Sequence, residues 1–243
     1  MSDVDALFAS YPRSRPPLPE AHRAVYVQEY QANREGDHAV EKAGKWLEAW
    51  LHRQVSRGPG GRLLELGAGS LNHVPYETSA HYDVVEPFTA LYEGSPHVGR
   101  VNRFFASLAE VPPDERYDRI LSVAVLEHLE DLPGDVARSG LLLAEGGEFR
   151  AGIPSEGGFL WGLAWRCTTG VSFRLRTGLP YEPLMRHEHI NDAAEMLATV
   201  RYFFEDVRAR RFPLPWHQLS FYVAVEARRP RRDRCRAFLE GRA

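Results

Sequence analysis

The chain has 243 residues, 44% of them hydrophobic, enough to bury the core of one α/β domain. Its 30 Lys and Arg against 33 Asp and Glu leave a formal charge of -3, which excludes the basic coat of a nucleic-acid binder and points to a small-molecule partner. No apolar run approaches the roughly 20 residues of a membrane span, Met1 to Pro19 carries no apolar leader, and Cys167 and Cys235 form no CxxC pair, so the expectation is a cytoplasmic chain with no membrane partner, disulfide or structural zinc.

Tyr11 to Pro19 is too rich in proline for regular hydrogen bonding and reads as an extended lead-in. Helices are predicted over Glu20 to Asn33 and over Asp37 to Val55, the second because Val40, Gly44, Leu47, Leu51 and Val55 recur at spacings of four and three. Together, residues 20–57 form an N-terminal helical cap. Gly58-Pro59-Gly60-Gly61 breaks the pattern, and strands follow at Arg62 to Leu66, His81 to Glu86, Arg100 to Phe105 and Tyr117 to Val123, with helical segments between most of them. A helix from Gly134 to Leu143, stopped by Gly146-Gly147, precedes a fifth strand from Glu148 to Ile153 that ends at Pro154. The alternation across residues 58–154 predicts a parallel sheet covered on both faces.

Residues 155–190 lose this regularity and crowd aromatic and basic residues together, among them Phe159, Trp161, Trp165, Arg166, Phe173, Arg174, Arg176 and Tyr181. This insertion is expected to close over the open end of the sheet as a lid. In residues 191–227, Asn191 is placed as the cap of a helix from Asp192 to about Arg201, and strands at Phe204 to Arg210 and Leu219 to Ala227 are read as an antiparallel pair at the sheet edge. Residues 228–243 read as a solvated, arginine-rich tail with one helical turn. One domain spans residues 1–243, with no internal repeat.

The chemistry concentrates where strands end. Glu65-Leu66-Gly67-Ala68-Gly69-Ser70 closes strand one, and its glycines let the backbone bend tightly and approach a ligand. Strand two ends in Val84-Val85-Glu86-Pro87, placing a carboxylate where it can accept hydrogen bonds from both hydroxyls of a ribose. These residues, with Tyr117 to Val123, Val125-Leu126-Glu127-His128-Leu129 and Leu141 to Gly147, resemble the class I S-adenosylmethionine-dependent methyltransferases over about Arg62 to Pro154. The resemblance implies a Rossmann-like, seven-stranded, mostly parallel sheet with an antiparallel last strand, and S-adenosylmethionine as cofactor. By it, Glu65, Gly67, Ala68 and Gly69 hold the methionine part, with Asn72 near its carboxylate. Glu86 and Pro87 take the ribose, Ser107 and Leu108 stand on the adenine side, and Val123 completes the set at the tip of strand four. Two departures from the family pattern are Leu71 and Asn72 where a third glycine is common, and Pro75, which leaves little room for a long first helix. The same proline argues against a dinucleotide pyrophosphate on a helix start, and no Tyr-x-x-x-Lys pair supplies a hydride-transfer proton donor.

A sulfonium is already a strong electrophile, so the protein has to align a nucleophile, exclude water and, for a hydroxyl acceptor, offer a base. Base candidates are His128, beyond strand four, and His187, Glu188 and His189 in His187-Glu188-His189-Ile190-Asn191, where Asn191 adds a polar donor; alternatively these side chains only cap local backbone. Histidines two residues apart do not converge on one point without a turn, and no metal is expected. Tyr26, Tyr30, Asn33 and Arg34 of the cap, with Trp161, Trp165, Arg174 and Arg176 of the insertion as a stacking and cationic wall, suit a site for a small polar molecule; the alternative is lid core or the contact of a homodimer. The expected function is methyl transfer to a small polar metabolite, preferably a hydroxyl of a sugar or natural-product scaffold. An amine of an amino sugar, a nucleoside-binding protein without turnover, and an RNA methyltransferase supported only by the arginine tail are the alternatives.

Overall fold

The computed structural model describes residues 3–26 and 39–241. Seven strands form one sheet in the order β3-β2-β1-β4-β5-β7-β6. They are β1 Arg62–Leu66, β2 His81–Val85, β3 Arg103–Phe105, β4 Tyr117–Val123, β5 Leu143–Pro154, β6 Phe204–Pro213 and β7 Ser220–Pro230. β1 pairs in parallel with β2 and β4, β2 with β3, and β4 with β5, whereas β7 runs antiparallel to both β5 and β6. The late antiparallel pair is therefore present, but β7 lies inside the sheet and, of the two, only β6 stands at an edge. Leu63, Leu64, Ile120, Leu121 and Phe149 are fully buried, as a sheet covered on both faces requires.

The connections among β1 to β4 differ from the expected helices. Among the described residues they hold only single 3-10 turns, at Val74–Tyr76, Thr89–Leu91, Val98–Arg100 and Leu108–Glu110. Pro75 sits in the first of these turns, and prolines at positions 87, 96, 112 and 113 interrupt the others' flanks, removing the amide donors that a longer helix needs. The turn at Val98–Arg100 also shortens β3 from its expected start, and the Arg100 guanidinium donates to the Val74 carbonyl oxygen at 2.8 Å.

Helices Leu132–Leu142, Ala193–Phe203 and Arg232–Glu240, with the short Asp3–Phe8, build the main core against one face of the sheet. Phe8 meets the rings of Tyr202, Phe203 and Phe238 at 4.9, 5.7 and 5.2 Å between centroids. The arginine-rich end is thus not a solvated tail. Arg232–Glu240 buries Cys235, and two arginines at its start satisfy helix-end carbonyls: Arg231, just before it, donates to the oxygens of Arg201 and Tyr202 at 2.7 and 3.0 Å, and Arg232 to that of Leu141 at 3.0 Å.

Helix Ala39–Val55 crosses the other face over β4, β5 and β7. Its approach needs Gly152, where a Cβ would lie 2.4 Å from Leu51 Cγ. Beneath it the sheet is polar. Arg119, 2% exposed, is held by the Glu77 carboxylate and the Ser56 carbonyl, while Arg150 meets Glu148 at 2.7 Å and Glu226 at 2.9 Å. His73 joins Glu77 at 2.9 Å and His52 at 2.8 Å. Removing one partner of such a set strands a buried charge, which is far costlier than the set's own net contribution.

The insertion is helical rather than irregular, with Phe159–Cys167, Thr169–Thr177 and Glu182–Glu188 following one another. The next helix is capped by Asp192, not Asn191. Asp192 Oδ1 accepts from the amides of Ala194 and Glu195 at 2.8 and 2.9 Å, and Glu195 Oε2 accepts from the Asp192 amide at 3.0 Å. Among the described residues no helix is long and apolar enough to cross a membrane.

Candidate active site

Two features meet at the carboxyl ends of the central strands, a glycine turn with an acidic strand tip and a cluster of histidines and glutamates. Gly67 and Gly69 adopt φ of 67° and 51°, the left-handed region that a side chain disfavours. A Cβ on Gly67 would also lie 2.5 Å from the methyls of Val125, so the turn after β1 and the segment after β4 are in direct contact. Gly67 donates to the Val85 carbonyl at 2.8 Å, and Gly69 donates to Glu86 Oε2 at 2.8 Å. Glu86 Oε1 accepts from the Phe88 amide at 3.0 Å. The carboxylate therefore ties the glycine turn to the end of β2 and still has lone pairs for two further donors.

The other cofactor candidates fall into distinct places. Glu65 points into the interior, where it accepts from the Tyr82 hydroxyl at 2.7 Å; burial, moderated by that bond and reinforced by Glu77 and Glu86, pushes its carboxyl up to about 8. Ala68 is buried, Asn72, Pro87 and Ser107 are exposed, and Val123 is half-buried at the end of β4. Leu108 packs into the main core with Leu64 and Leu66, leaving its backbone rather than its side chain for the adenine side. Sequence reasoning passed over Phe88, whose ring is 61% exposed immediately after Glu86-Pro87. A large exposed aromatic beside a carboxylate was the available signal.

The second feature brings His128 and His189 together, their rings 4.8 Å apart in a T-shaped contact. His128 Nδ1 donates to the Glu188 carbonyl at 2.7 Å, and burial, then the neighbouring His189, pulls its pKa down to about 4. It is neutral at physiological pH. For His189, burial would lower the pKa, but a short hydrogen bond from Nδ1 to Glu156, with the negative charges of Glu127, Glu156 and Glu188, raises it overall. Glu156 also accepts from Trp161 Nε1 at 2.7 Å, and the Trp161 ring faces His189 at 6.5 Å and Tyr222 at 5.7 Å. Glu127 is 1% exposed, its Oε2 has no hydrogen-bond partner, and burial pushes its carboxyl up to about 7 against the pull of His189. Glu127, Glu156 and Tyr222 are thus cluster members that the sequence reading did not select.

The remaining candidates serve the architecture. His187 Nδ1 donates to the Pro16 carbonyl at 2.7 Å, and Glu188 is bound by the Tyr26 hydroxyl and by Arg15 at 3.2 Å, so both clamp the lead-in segment to helix Glu182–Glu188. Tyr26 belongs to that clamp. Asn191 is 2% exposed; it accepts from the Tyr11 hydroxyl at 2.7 Å and donates to the carbonyls of Leu126 and Leu129 at 2.9 and 2.8 Å. It fixes the turn that carries Glu127 and His128. Trp165 packs by Tyr181, with the Arg166 guanidinium 4.4 Å from its ring centre. Tyr30, Asn33 and Arg34 lie outside the described residues.

No protein-family model and no curated protein matches the sequence. Solved structures do. An O-methyltransferase family protein from Burkholderia thailandensis superposes with a TM-score of 0.53 at 13% identity, over 93% of this chain and 68% of that one. The S-adenosylmethionine-dependent methyltransferase SibL gives 0.53 at 17% identity over 76% of this chain and 56% of SibL. A protein from Thermotoga maritima described as a SAM-dependent methyltransferase, possible histamine N-methyltransferase, gives 0.50 at 20% identity over 77% and 95%. These likenesses are of fold: a Rossmann-like, seven-stranded mixed sheet in which β7 alone runs antiparallel.

Proposed function

We propose that this protein is an S-adenosylmethionine-dependent methyltransferase acting on a hydroxyl of a small polar metabolite, with a sugar or natural-product ring as the acceptor class. The observation that carries the reading is the shared edge: the Gly67 to Gly69 turn, braced by Glu86, abuts the β4 segment that leads into the His128 and His189 cluster. When bound, the cofactor supplies an activated methyl group. The chain's own residues fit it: two glycines in left-handed conformation give a tight turn, Glu86 presents a carboxylate for the ribose hydroxyls, and Phe88 offers a flat apolar surface for the base.

His189 is the general base of this reading. Glu156 orients its imidazole through Nδ1, leaving Nε2 to take the acceptor proton, and Trp161 and Tyr222 wall the space beside it. A carboxylate partner both fixes the tautomer and stabilises the imidazolium formed as the proton transfers. Neutral His128 contributes shape and an uncharged neighbour that does not compete for that proton. The test is incubation with labelled S-adenosylmethionine and a panel of polyhydroxylated and amine-bearing small molecules, with mass spectrometry of the products. Methylation at oxygen that His189→Ala suppresses supports the reading; transfer only to nitrogen, unaffected by that substitution, contradicts it.

A further inference from the structure

Nine large hydrophobic side chains are exposed among the described residues, and seven of them fall in two segments: Phe159, Leu163, Val171 and Leu175 on the insertion, and Leu214, Trp216 and Leu219 between β6 and β7. The segments are neighbours. Helix Phe159–Cys167 packs against the turn His217–Leu219, where the Phe159 amide donates to Gln218 Oε1 at 2.8 Å. Phe159 and Leu163 are four residues apart on one helix, as are Val171 and Leu175 on the next, so each helix leaves an apolar stripe outward. Leu175 is 82% exposed.

The charge around this surface is one-sided. The insertion's side of it, residues 157–181, contains Arg166, Arg174 and Arg176 and no Asp or Glu, whereas on the β6 side Arg210 turns to Gln54 Oε1 at 3.3 Å. This is notable in a chain whose formal charge is -3. Arg166 bonds within its own helix, to the Gly162 carbonyl at 2.9 Å, and lies over the Trp165 ring at 4.4 Å, so its charge meets no carboxylate there. Arg174 is exposed on the same helix as Val171 and Leu175.

We propose that this surface docks on an anionic lipid bilayer. Exposed apolar stripes, a tryptophan at a loop tip and arginines carried on the same two helices are the combination that inserts shallowly among headgroups while the guanidinium groups remain at the phosphate level. A nucleic acid would satisfy the arginines but leave the apolar stripes in water. Two copies meeting through this face about a two-fold axis would set arginines of like charge against each other. Expecting no membrane partner from the lack of an apolar span addressed crossing, and a docked face crosses nothing. The same helix that presents Phe159 and Leu163 carries Trp161 against His189, so docking would bring the acceptor side of the site to the lipid surface.

The test is co-sedimentation of the full chain with vesicles of phosphatidylcholine alone and of phosphatidylcholine with phosphatidylglycerol. Pelleting only with the anionic vesicles, and less of it at high salt, is expected. Arg174→Gln should weaken partitioning about fivefold, the effect of one basic residue near such a surface. Leu175→Glu should weaken it more than tenfold while circular dichroism stays that of the parent; the substituted side chain is solvent-exposed and leaves the core untouched. No pelleting with anionic vesicles overturns the proposal. So does undiminished binding by Leu175→Glu, or a concentration-dependent dimer that Leu175→Glu dissolves.

Discussion

Glu156 and His189 form a carboxylate–imidazole pair whose behaviour is set by what surrounds it. Because the carboxylates raise the His189 pKa, methyl transfer that uses His189 as base should climb with pH through an inflection above the ordinary histidine value of about 6.5. Glu156→Gln should move that inflection down and lower kcat by roughly 10- to 100-fold, with little change in cofactor affinity; an unmoved profile would remove His189 from the reaction. The sign for stability is separate. A raised histidine pKa gives a contribution that is complete below the unfolded value and lost as pH rises through the folded one. Glu127, pushed up to about 7, acts in the same direction, since the folded state holds a proton that the unfolded chain releases near its usual 4.5. Glu127→Gln should therefore stabilise the protein by about 1–3 kcal/mol at roughly pH 8 and by much less at roughly pH 5, measured by urea unfolding. Equal effects at the two pH values would mean that the carboxyl is not held protonated. His189 was legible in the sequence as part of a polar run before a helix. Glu156 was not, because it stands 33 positions away and meets the histidine only through the fold.

Gly152 shows how one small residue positions an entire helix. Gly152→Ala would force a Cβ to within 2.4 Å of Leu51 Cγ and should cost about 1–3 kcal/mol as helix Ala39–Val55 lifts or Leu51 leaves its rotamer. Adding Leu51→Ala should return part of that loss, and full additivity of the two changes in chemical denaturation would deny the contact. Strands β1 and β2 and the stops after them could be read from sequence, because apolar runs ended by glycine or by an acidic residue carry their own signal. The helices Phe159–Cys167 and Thr169–Thr177 could not be read in the same way. The outward side of the first carries apolar Phe159 and Leu163, and in the second exposed Val171 and Leu175 mix with exposed Ser172, Arg174 and Arg176, so neither shows cleanly separated apolar and polar faces. The absence of helices among β1 to β4 was signalled by Pro75 and by the prolines that flank the other turns, of which the sequence reading used only Pro75.

The packed ends of the chain give the molecule its closed form. The lead-in is fastened by Arg13 to Glu195 at 2.7 Å and by Tyr11 to Asn191, and the last helix buries its own Cys235 in the same core. Burial pushes the Cys235 thiol up to about 11, against the pull of nearby arginines, while Cys167 is exposed. An aromatic disulfide reagent should thus titrate one thiol rapidly in the native protein and the second only after unfolding; two fast thiols would show that the last helix does not pack as described. Arginine density alone suggested a solvated tail, because the sequence does not show that two of those arginines meet helix-end carbonyls. The polar sheet face under helix Ala39–Val55 was hidden for a similar reason. Arg119 and Arg150 look like surface residues until β4 and β5 bring Glu77, Glu148 and Glu226 beside them. The central claim is that the glycine turn and Glu86 hold an adenosyl group. Isothermal calorimetry of the purified protein with S-adenosylhomocysteine should show one saturable site, weakened tenfold or more by Glu86→Ala at unchanged circular dichroism, consistent with loss of charge-assisted hydrogen bonds worth about 1.5–3 kcal/mol. Absence of binding at saturating ligand, or equal affinity in the Glu86→Ala variant, would contradict it.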